Sequence, residues 1–503
     1  MEWIPILYST IILLSALIFI ILYPKKSQSP RLPPGPLGWP VFGHLFSLGN
    51  APHRTIAGLQ PKYGPMVWLK LGSINTMAVL TAKAATELLK NHDLSFVDRT
   101  IVETMTSHDY HHSSLALAPY GPRWRMLRRI CTVEMFVNKR INETTSIRQK
   151  CVKNMMSWIE KERNGNPENG ILVGRYAFLA AFNMLGNLMM SRDLVEPDSE
   201  KGMEFFSAMK GVMEWSGRPN VSDLFPWLRW IDLQGLKRRA DRDMGIAFGI
   251  VSAFVEERIQ QRKNGVGAKE KDFLDVLLEF EGCNEESGKL SDKEITIFIL
   301  EMFLAGSETT SSSIEWAMAE LLRNPDIMTK VKHEISSVIG PNNKFEERDI
   351  DNLPYLQAII KESLRLHPPI PFLIPRRAIR DTNFMGYVIP KNTQVFVNVW
   401  AVGRDKECWE DPFSFKPERF LGSNLDYKGQ HFELIPFGAG RRMCAGLPLG
   451  HRMLHFVLGS LLHQFDWELE SPIKPNSIDM SERMGVTVGK LEALKAVPTK
   501  SVA

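Results

Sequence analysis

Cysteine is scarce here. Cys131, Cys151, Cys283, Cys408 and Cys444 are all that 503 residues contain, and no two form a C-x-x-C pair. An odd, scattered set builds neither a disulfide framework nor a zinc cluster. The body of the chain therefore suits a reducing compartment, and any special thiol acts alone. Charge of one sign is lacking too: 61 basic against 57 acidic residues leave +4. No basic stripe with interleaved aromatics occurs, so composition gives no case for a nucleic-acid binder. There is no Walker loop, and Gly438-Ala439-Gly440-Arg441-Arg442-Met443 lacks the third glycine of a dinucleotide fingerprint. The chain is not expected to bind NAD(P) itself. His451 and His455 have zinc-ligand spacing, but Arg452 stands where a metalloprotease needs glutamate. The run His108-Asp109-Tyr110-His111-His112 packs its ligands too closely in sequence to converge on one ion.

Long uncharged runs are present once, at the start. From Trp3 to Pro24 no residue is charged, and Ile4–Tyr23 is dominated by Ile, Leu and Phe. About 20 such residues span a bilayer core as a helix. Residues 1–24 are therefore expected to be a transmembrane anchor. Glu2 at the start and Lys25-Lys26 at the end argue against a cleaved signal peptide, and the lysines place the downstream chain in the cytosol. Residues 25–40 carry five prolines in SQSPRLPPGPLGWP and read as a stiff connector, leaving 41–503 as one large globular body.

Periodicity makes that body mainly α with a smaller β region. Residues 66–72 and 393–400 read as strands. The clearest helix opens at Ser291-Asp292-Lys293-Glu294, a capping box, and can run to Arg323 before Asn324-Pro325. Its first half is apolar on nearly every face, as in a helix passing through a core. At its centre stands Ala305-Gly306-Ser307-Glu308-Thr309-Thr310-Ser311-Ser312-Ser313. Hydroxyl residues compete for backbone hydrogen bonds, so the spacing predicts a continuous helix, locally loosened, with polar side chains facing something buried.

The lone-thiol question concentrates on Pro436-Phe437-Gly438-Ala439-Gly440-Arg441-Arg442-Met443-Cys444-Ala445-Gly446. Glycines let backbone N–H groups approach a thiolate, and a helical run from about Leu449 begins just beyond, where the dipole favours negative charge. Arginines suit carboxylates. A thiolate with arginine–carboxylate contacts points to haem ligated by cysteine. A nucleophilic cysteine is the rival, although the stretch supplies no histidine base.

This stretch resembles the cysteine loop of the cytochrome P450 monooxygenases, F-x-x-G-x-R-x-C-x-G. Ala305-Gly306-Ser307-Glu308-Thr309-Thr310 resembles their oxygen-activation motif, Glu362-Ser363-Leu364-Arg365 their E-x-x-R, and Pro417-Glu418-Arg419-Phe420 their P-E-R-F. Trp124-Arg125-Met126-Leu127-Arg128 resembles the W-x-x-x-R of an earlier helix, and the anchor with its Pro-Pro-Gly-Pro resembles the microsomal members. The resemblance implies the P450 fold, a single haem domain behind a transmembrane helix, in the endoplasmic reticulum membrane. It implies haem b with Cys444 as the axial thiolate and metal ligand. Trp124, Arg128, Arg376 and Arg442 would meet the propionates, and Phe437 would cover the thiolate side. Thr309 would deliver protons to oxygen, with Glu308 in the acidic position where aspartate is common. Glu362, Arg365 and Arg419 would form a buried support.

Electrons would come from NADPH through a separate NADPH–cytochrome P450 reductase, with cytochrome b5 as an additional donor. Arg123, Arg125, Arg129, Lys139 and Arg140 are candidates for the docking face. The matching substrate segments, Leu115, Leu117, Met302, Phe303, Ile370–Ile374 and Met484–Thr487, are largely apolar and suit a small apolar substrate. Residues 389–405 and 435–453 are similar to the plant geraniol 8-hydroxylase-like group, which implies oxidation of a monoterpenoid, geraniol- or iridoid-type. Flavonoid or other phenolic hydroxylation is the alternative. A haem-thiolate isomerase or dehydratase, or a haem-binding sensor, stays open at this point; the first usually lacks an acid–threonine pair.

Overall fold

The computed structural model describes residues 32–165, 169–197, 200–265, 271–281, 289–340 and 343–501. The expected anchor, 1–24, and the first part of the connector lie outside the described residues. From Leu32 to Gly38 the connector has no regular secondary structure.

Helices dominate. Those that build the site are, in chain order, α1 (Pro122–Arg129), α2 (Val173–Met190), α3 (Glu200–Gly217), α4 (Leu236–Lys263), α5 (Asp292–Gly306), α6 (Glu308–Arg323), α7 (Pro354–Leu366) and α8 (Leu447–Gln464). The capping box that opens α5 is complete: Ser291 Oγ accepts from Glu294 N–H at 3.3 Å, and Glu294 Oε2 accepts from Ser291 N–H at 2.9 Å. Such a cap contributes about 1 kcal/mol. Every residue from Ile295 to Leu304 is buried. Phe303 packs between Phe182 of α2 and Phe205 of α3, with ring centroids 4.8 and 5.4 Å away.

The long central helix does not run unbroken. Its hydrogen-bonded ladder stops at Gly306 and restarts at Glu308, while Ser307 keeps right-handed dihedrals (φ −88°, ψ −57°). The axis continues and the ladder loosens. Ser307 Oγ donates to Phe303 O at 2.7 Å, and Thr309 Oγ1 to Ala305 O at 2.6 Å. These hydroxyls occupy the carbonyls that peptide N–H groups would otherwise hold alone.

A five-stranded sheet flanks the helices. Met66–Leu71 (β1) and Ile74–Val79 (β2) form a hairpin, with Met66 opposite Val79. Its turn contains Gly72 at φ +58°, where a Cβ would also stand 2.7 Å from Leu224 O. β2 pairs in parallel with Gln394–Val397 (β5), and the order continues through Arg376–Arg377 (β4) to Asp98–Arg99 (β3). The strand expected over 393–400 is thus shorter. Asn398 accepts from Ala401 N–H at 3.0 Å, turning Val399–Val402 into a helical turn. A small hairpin, Glu482–Arg483 (β6) against Gly489–Lys490 (β7), lies near α6.

Candidate functional site

The loop carrying Cys444 is held by its own backbone. Cys444 N–H donates to Phe437 O at 2.9 Å and Met443 N–H to Gly440 O at 3.1 Å. Gly438 and Gly440 sit at φ +72° and +70°, and a Cβ on Gly440 would lie 2.6 Å from Leu89 O. Only glycine fits there. α8 starts three residues after the cysteine, earlier than its apolar run suggested, with Pro448 in its first turn. Consequently the N–H groups of Gly446 and Leu447 donate to Sγ. The thiol is exposed while Arg442 and Leu447 beside it are buried. Desolvation by the surrounding protein is the largest influence on it and pushes its pKa up. The two N–H donors and the Arg128 guanidinium pull the other way and favour the thiolate.

Positive charge collects above this loop. Pairing of β3 with β4 sets Arg99 directly opposite Arg376, and Arg442 reaches the same region. All three are more than nine-tenths buried. Burial, and then each other's charge, drives the Arg99 guanidinium well below its usual range and Arg442 down to about 10. Asp93 is the main compensation for Arg99 and Arg376, with Asp98 ahead of it for Arg442; Asp93 accepts from Arg376 at 2.7 Å and from Arg441 at 3.0 Å. Arg441 is thereby a support for the loop. Arg442 itself holds carbonyls, donating to Val97 O at 3.0 Å and Ala118 O at 2.6 Å, and stacks 4.4 Å from the Trp124 ring. Trp124 Nε1 donates to Leu115 O at 2.8 Å, and Arg128 to Met443 O at 2.5 Å. Trp124, Arg376 and Arg442, which the resemblance sets at the propionates, lie in one region, and Arg128 joins them to the cysteine loop. Arg99 escaped the sequence reading: a two-residue strand has no periodicity to detect.

Behind the loop, Phe437 is half-buried beside the Tyr427 ring, centroids 5.3 Å apart. Tyr427 Oη and His451 Nδ1 share a hydrogen bond of 2.7 Å; burial holds that imidazole neutral, its pKa lowered to about 4. His455 Nδ1 in turn bonds to His451 O at 2.7 Å. The histidine pair with zinc spacing is a packing support for α8. Glu362, Arg365 and Arg419 form one buried cluster: Arg365 grips Glu362 at 2.6 and 2.7 Å, and Arg419 reaches it at 3.0 Å.

The central helix supplies the opposite wall. Ala305 is exposed although the ten residues before it are buried, so it faces an internal opening. Thr309 is partly exposed, its hydroxyl tied to Ala305 O. Glu308 does not share this face. Successive helical residues diverge by about 100°, and its carboxyl enters a separate cavity of about 390 Å³ between α2, α3, α6 and the β6–β7 hairpin. There Oε2 has no hydrogen-bond partner among the described residues, and burial pushes its pKa to about 7. Phe303, expected on the substrate side, is instead fully buried in the aromatic cluster. One further residue was missed. Glu301, 2% exposed, accepts from Ser114 Oγ and from the N–H groups of Leu115 and Ala116, all at 2.6–2.7 Å. A carboxylate inside the apolar run 295–305 was the available signal.

Three buried guanidinium groups sharing so little negative charge are costly unless an anion completes them. Haem meets the need, since its iron takes a thiolate and its two propionates take positive charge. The residues present fit that group, and the chain is a haem-thiolate protein by its architecture. The cytochrome P450 family profile matches residues 33–494. A zebrafish cytochrome P450 solved with progesterone superposes with a TM-score of 0.74 at 25% identity, covering 89% of this chain and 99% of that one. Cytochrome P450 76A2 of Solanum melongena is 59% identical over 99% of each chain. Iridoid oxidase of Catharanthus roseus is 50% identical over 97% of this chain and 95% of its own. Geraniol 8-hydroxylase of Swertia mussotii is 43% identical over 97% of each. The chain belongs to the cytochrome P450 family, in the plant geraniol 8-hydroxylase-like group, and is a monooxygenase that draws electrons from a reductase.

Proposed function

We propose that this monooxygenase oxidises a small apolar terpenoid, a monoterpenol or iridoid, on the cytosolic face of the endoplasmic reticulum membrane. The observation that carries the substrate class is the near-complete alignment with iridoid oxidase and geraniol 8-hydroxylase. Leu115, Leu117 and Met302, each with under a tenth of its surface exposed, give an apolar setting with no charge to hold an ionic substrate.

When bound, haem activates dioxygen so that one oxygen atom enters the substrate and the other leaves as water. Cys444 would hold the iron, with Gly446 and Leu447 N–H keeping its sulfur anionic. Arg99, Arg376, Arg442, Trp124 and Arg128 would orient the propionates. Thr309 would hold a proton at Oγ1, and Glu308, titrating near neutrality, would both take and release one from the cavity behind the helix. Phe437, backed by Tyr427, would shield the sulfur from water.

The membrane reading is supported by exposed apolar residues on two segments that meet. Leu37, Trp39, Phe42 and Phe46 lie on one, Trp227, Trp230 and Leu233 on the other, and Phe42 packs on Phe225 at 6.1 Å. Among the described residues no helix is long and apolar enough to cross a membrane; the anchor assigned to residues 1–24 would do so. On the basic docking face, Arg123 pairs with Glu294 and Arg140 with Glu143. Arg129 and Lys139, the latter only loosely held at 4.0 Å from Glu143, are its freest members.

Microsomes containing the full chain and a reductase, offered monoterpenols, iridoids and phenolics with NADPH, test the proposal by mass spectrometry. Gain of one oxygen on a terpenoid is expected. Turnover of phenolics alone would replace the substrate class.

A further inference from the structure

The cavity behind α6 combines an apolar wall with a charged one. Its volume of about 390 Å³ lies within the range of small-molecule pockets. Phe178, Phe206, Met209 and Met213 form an apolar wall, with the two phenylalanine rings in edge contact at 4.6 Å. The other wall is charged. Arg175, Lys210, Arg483 and Lys490 line it against two carboxylates, Glu308 and Glu315. Glu315 is committed to Leu494 N–H at 2.8 Å, Arg175 to Pro197 O at 3.2 Å, and Lys490 to Asp479 O. Lys210 and Arg483 make no ion pair with any described residue, although both lie close enough to Glu308 to act on its charge.

Lys210 and Arg483 are both exposed, so they stand at the solvent side of the cavity, while the apolar wall behind them is one that water alone does not need. We propose that this cavity binds a small amphipathic carboxylate, its apolar skeleton against Phe178, Phe206 and the methionines and its anion between Lys210 and Arg483. The cavity lies on the other side of the central helix from the cysteine loop: none of Cys444, Thr309, Ala305 or the propionate arginines lines it, and of the substrate segments only Thr487 reaches it. Glu308 joins the two. A bound anion would offset the two cations that favour its ionised form, so ligand and ionised Glu308 exclude one another. Arg483, Lys210, Glu214, Glu315, Arg175 and Lys490 are the charged groups facing it. Occupancy would therefore bias the group that supplies protons to the reaction, whichever substrate that reaction takes.

The test uses the full-length holoenzyme with its iron blocked by an azole, which closes the haem pocket, and citronellate as the probe, with its methyl ester as control. Saturable binding of citronellate by equilibrium dialysis, at least tenfold tighter than the ester, is expected. Affinity should fall as pH rises through 7, and Glu308→Gln should bind more tightly at neutral pH without that dependence. Arg483→Gln, at an exposed position, should weaken binding at least tenfold while keeping its carbon-monoxide spectrum. The proposal is overturned by absence of saturable binding, by equal binding of the ester, by displacement with the azole, or by an Arg483→Gln variant that binds as wild type. Should that variant lose its haem, Lys210→Gln is read by the same criteria.

Discussion

Ser114 and Glu301 are 187 residues apart in the chain and 2.6 Å apart in the structure. Through this bond, and two more to Leu115 and Ala116 N–H, the central helix fixes the segment whose Leu115 carbonyl accepts from both Trp124 and Arg442. Haem grip and substrate wall thus hang on one buried carboxylate. Leucine at this position would strand three buried donors, each costing about 1–3 kcal/mol. Glu301→Leu is expected to lose about 3 kcal/mol or more of stability and much of its haem, with Glu301→Gln in between. Chemical denaturation and haem-to-protein ratio measure this, and a wild-type ratio in the leucine variant would contradict it.

Glu362 is fully buried between Arg365 and Arg419 and also accepts from Lys416 N–H at 2.8 Å. Removing one member of a buried ion pair costs about 3–5 kcal/mol, because the partner charge stays behind. Glu362→Ala should lose that much or fail to accumulate as holoprotein, whereas Lys330→Ala, whose salt bridge to Glu418 is exposed, should leave the denaturation midpoint nearly unchanged. Comparable losses in the two variants would contradict the buried-network reading.

Cys444→Ser removes the sulfur but leaves the loop, whose shape comes from Gly438, Gly440 and the Phe437 carbonyl. The thiolate-type spectrum of the reduced carbonyl complex should vanish while the protein still folds. An unchanged spectrum would move the ligand elsewhere.

Thr309→Ala should raise NADPH consumed per product by about tenfold, at the low end or below what a positioned proton donor contributes. Thr309→Ser keeps a hydroxyl able to reach Ala305 O and should stay near wild-type coupling. Equal coupling in all three proteins would remove Thr309 from proton delivery.

For Glu308 the sign of the pH effect comes from burial. The native carboxyl keeps its proton up to about 7, whereas the ordinary value is 4.5. Between those values the native state binds more protons than the unfolded one, so stability falls as pH rises through that window. Glu308→Gln should flatten this slope and be relatively more stable at pH 8, as read from denaturation midpoints. A slope unchanged by the substitution would show that Glu308 does not titrate there.

The cysteine loop was legible because its chemistry is local. Gly438 and Gly440 take left-handed φ within a few residues of Cys444, a local demand the sequence carries, although the contact that also bars a Cβ at Gly440 comes from distant Leu89. The capping box at Ser291 and the loosened helix at Ser307 were readable for the same reason: hydroxyls act on carbonyls three and four residues away. Arg99, Asp93 and Glu301 were not legible. Each matters because of a residue far along the chain that folding places opposite it, Arg376 for the first two and Ser114 for the third. Glu308 shows the boundary most plainly. The sequence by itself determined that an acid precedes Thr309, and helical geometry alone turns neighbouring side chains about 100° apart. Only the packing of α2, α3 and the β6–β7 hairpin decided that its carboxyl opens into a separate cationic cavity. Desolvation and the fields of Arg483 and Lys210 are sums over everything nearby, and no stretch of sequence contains them.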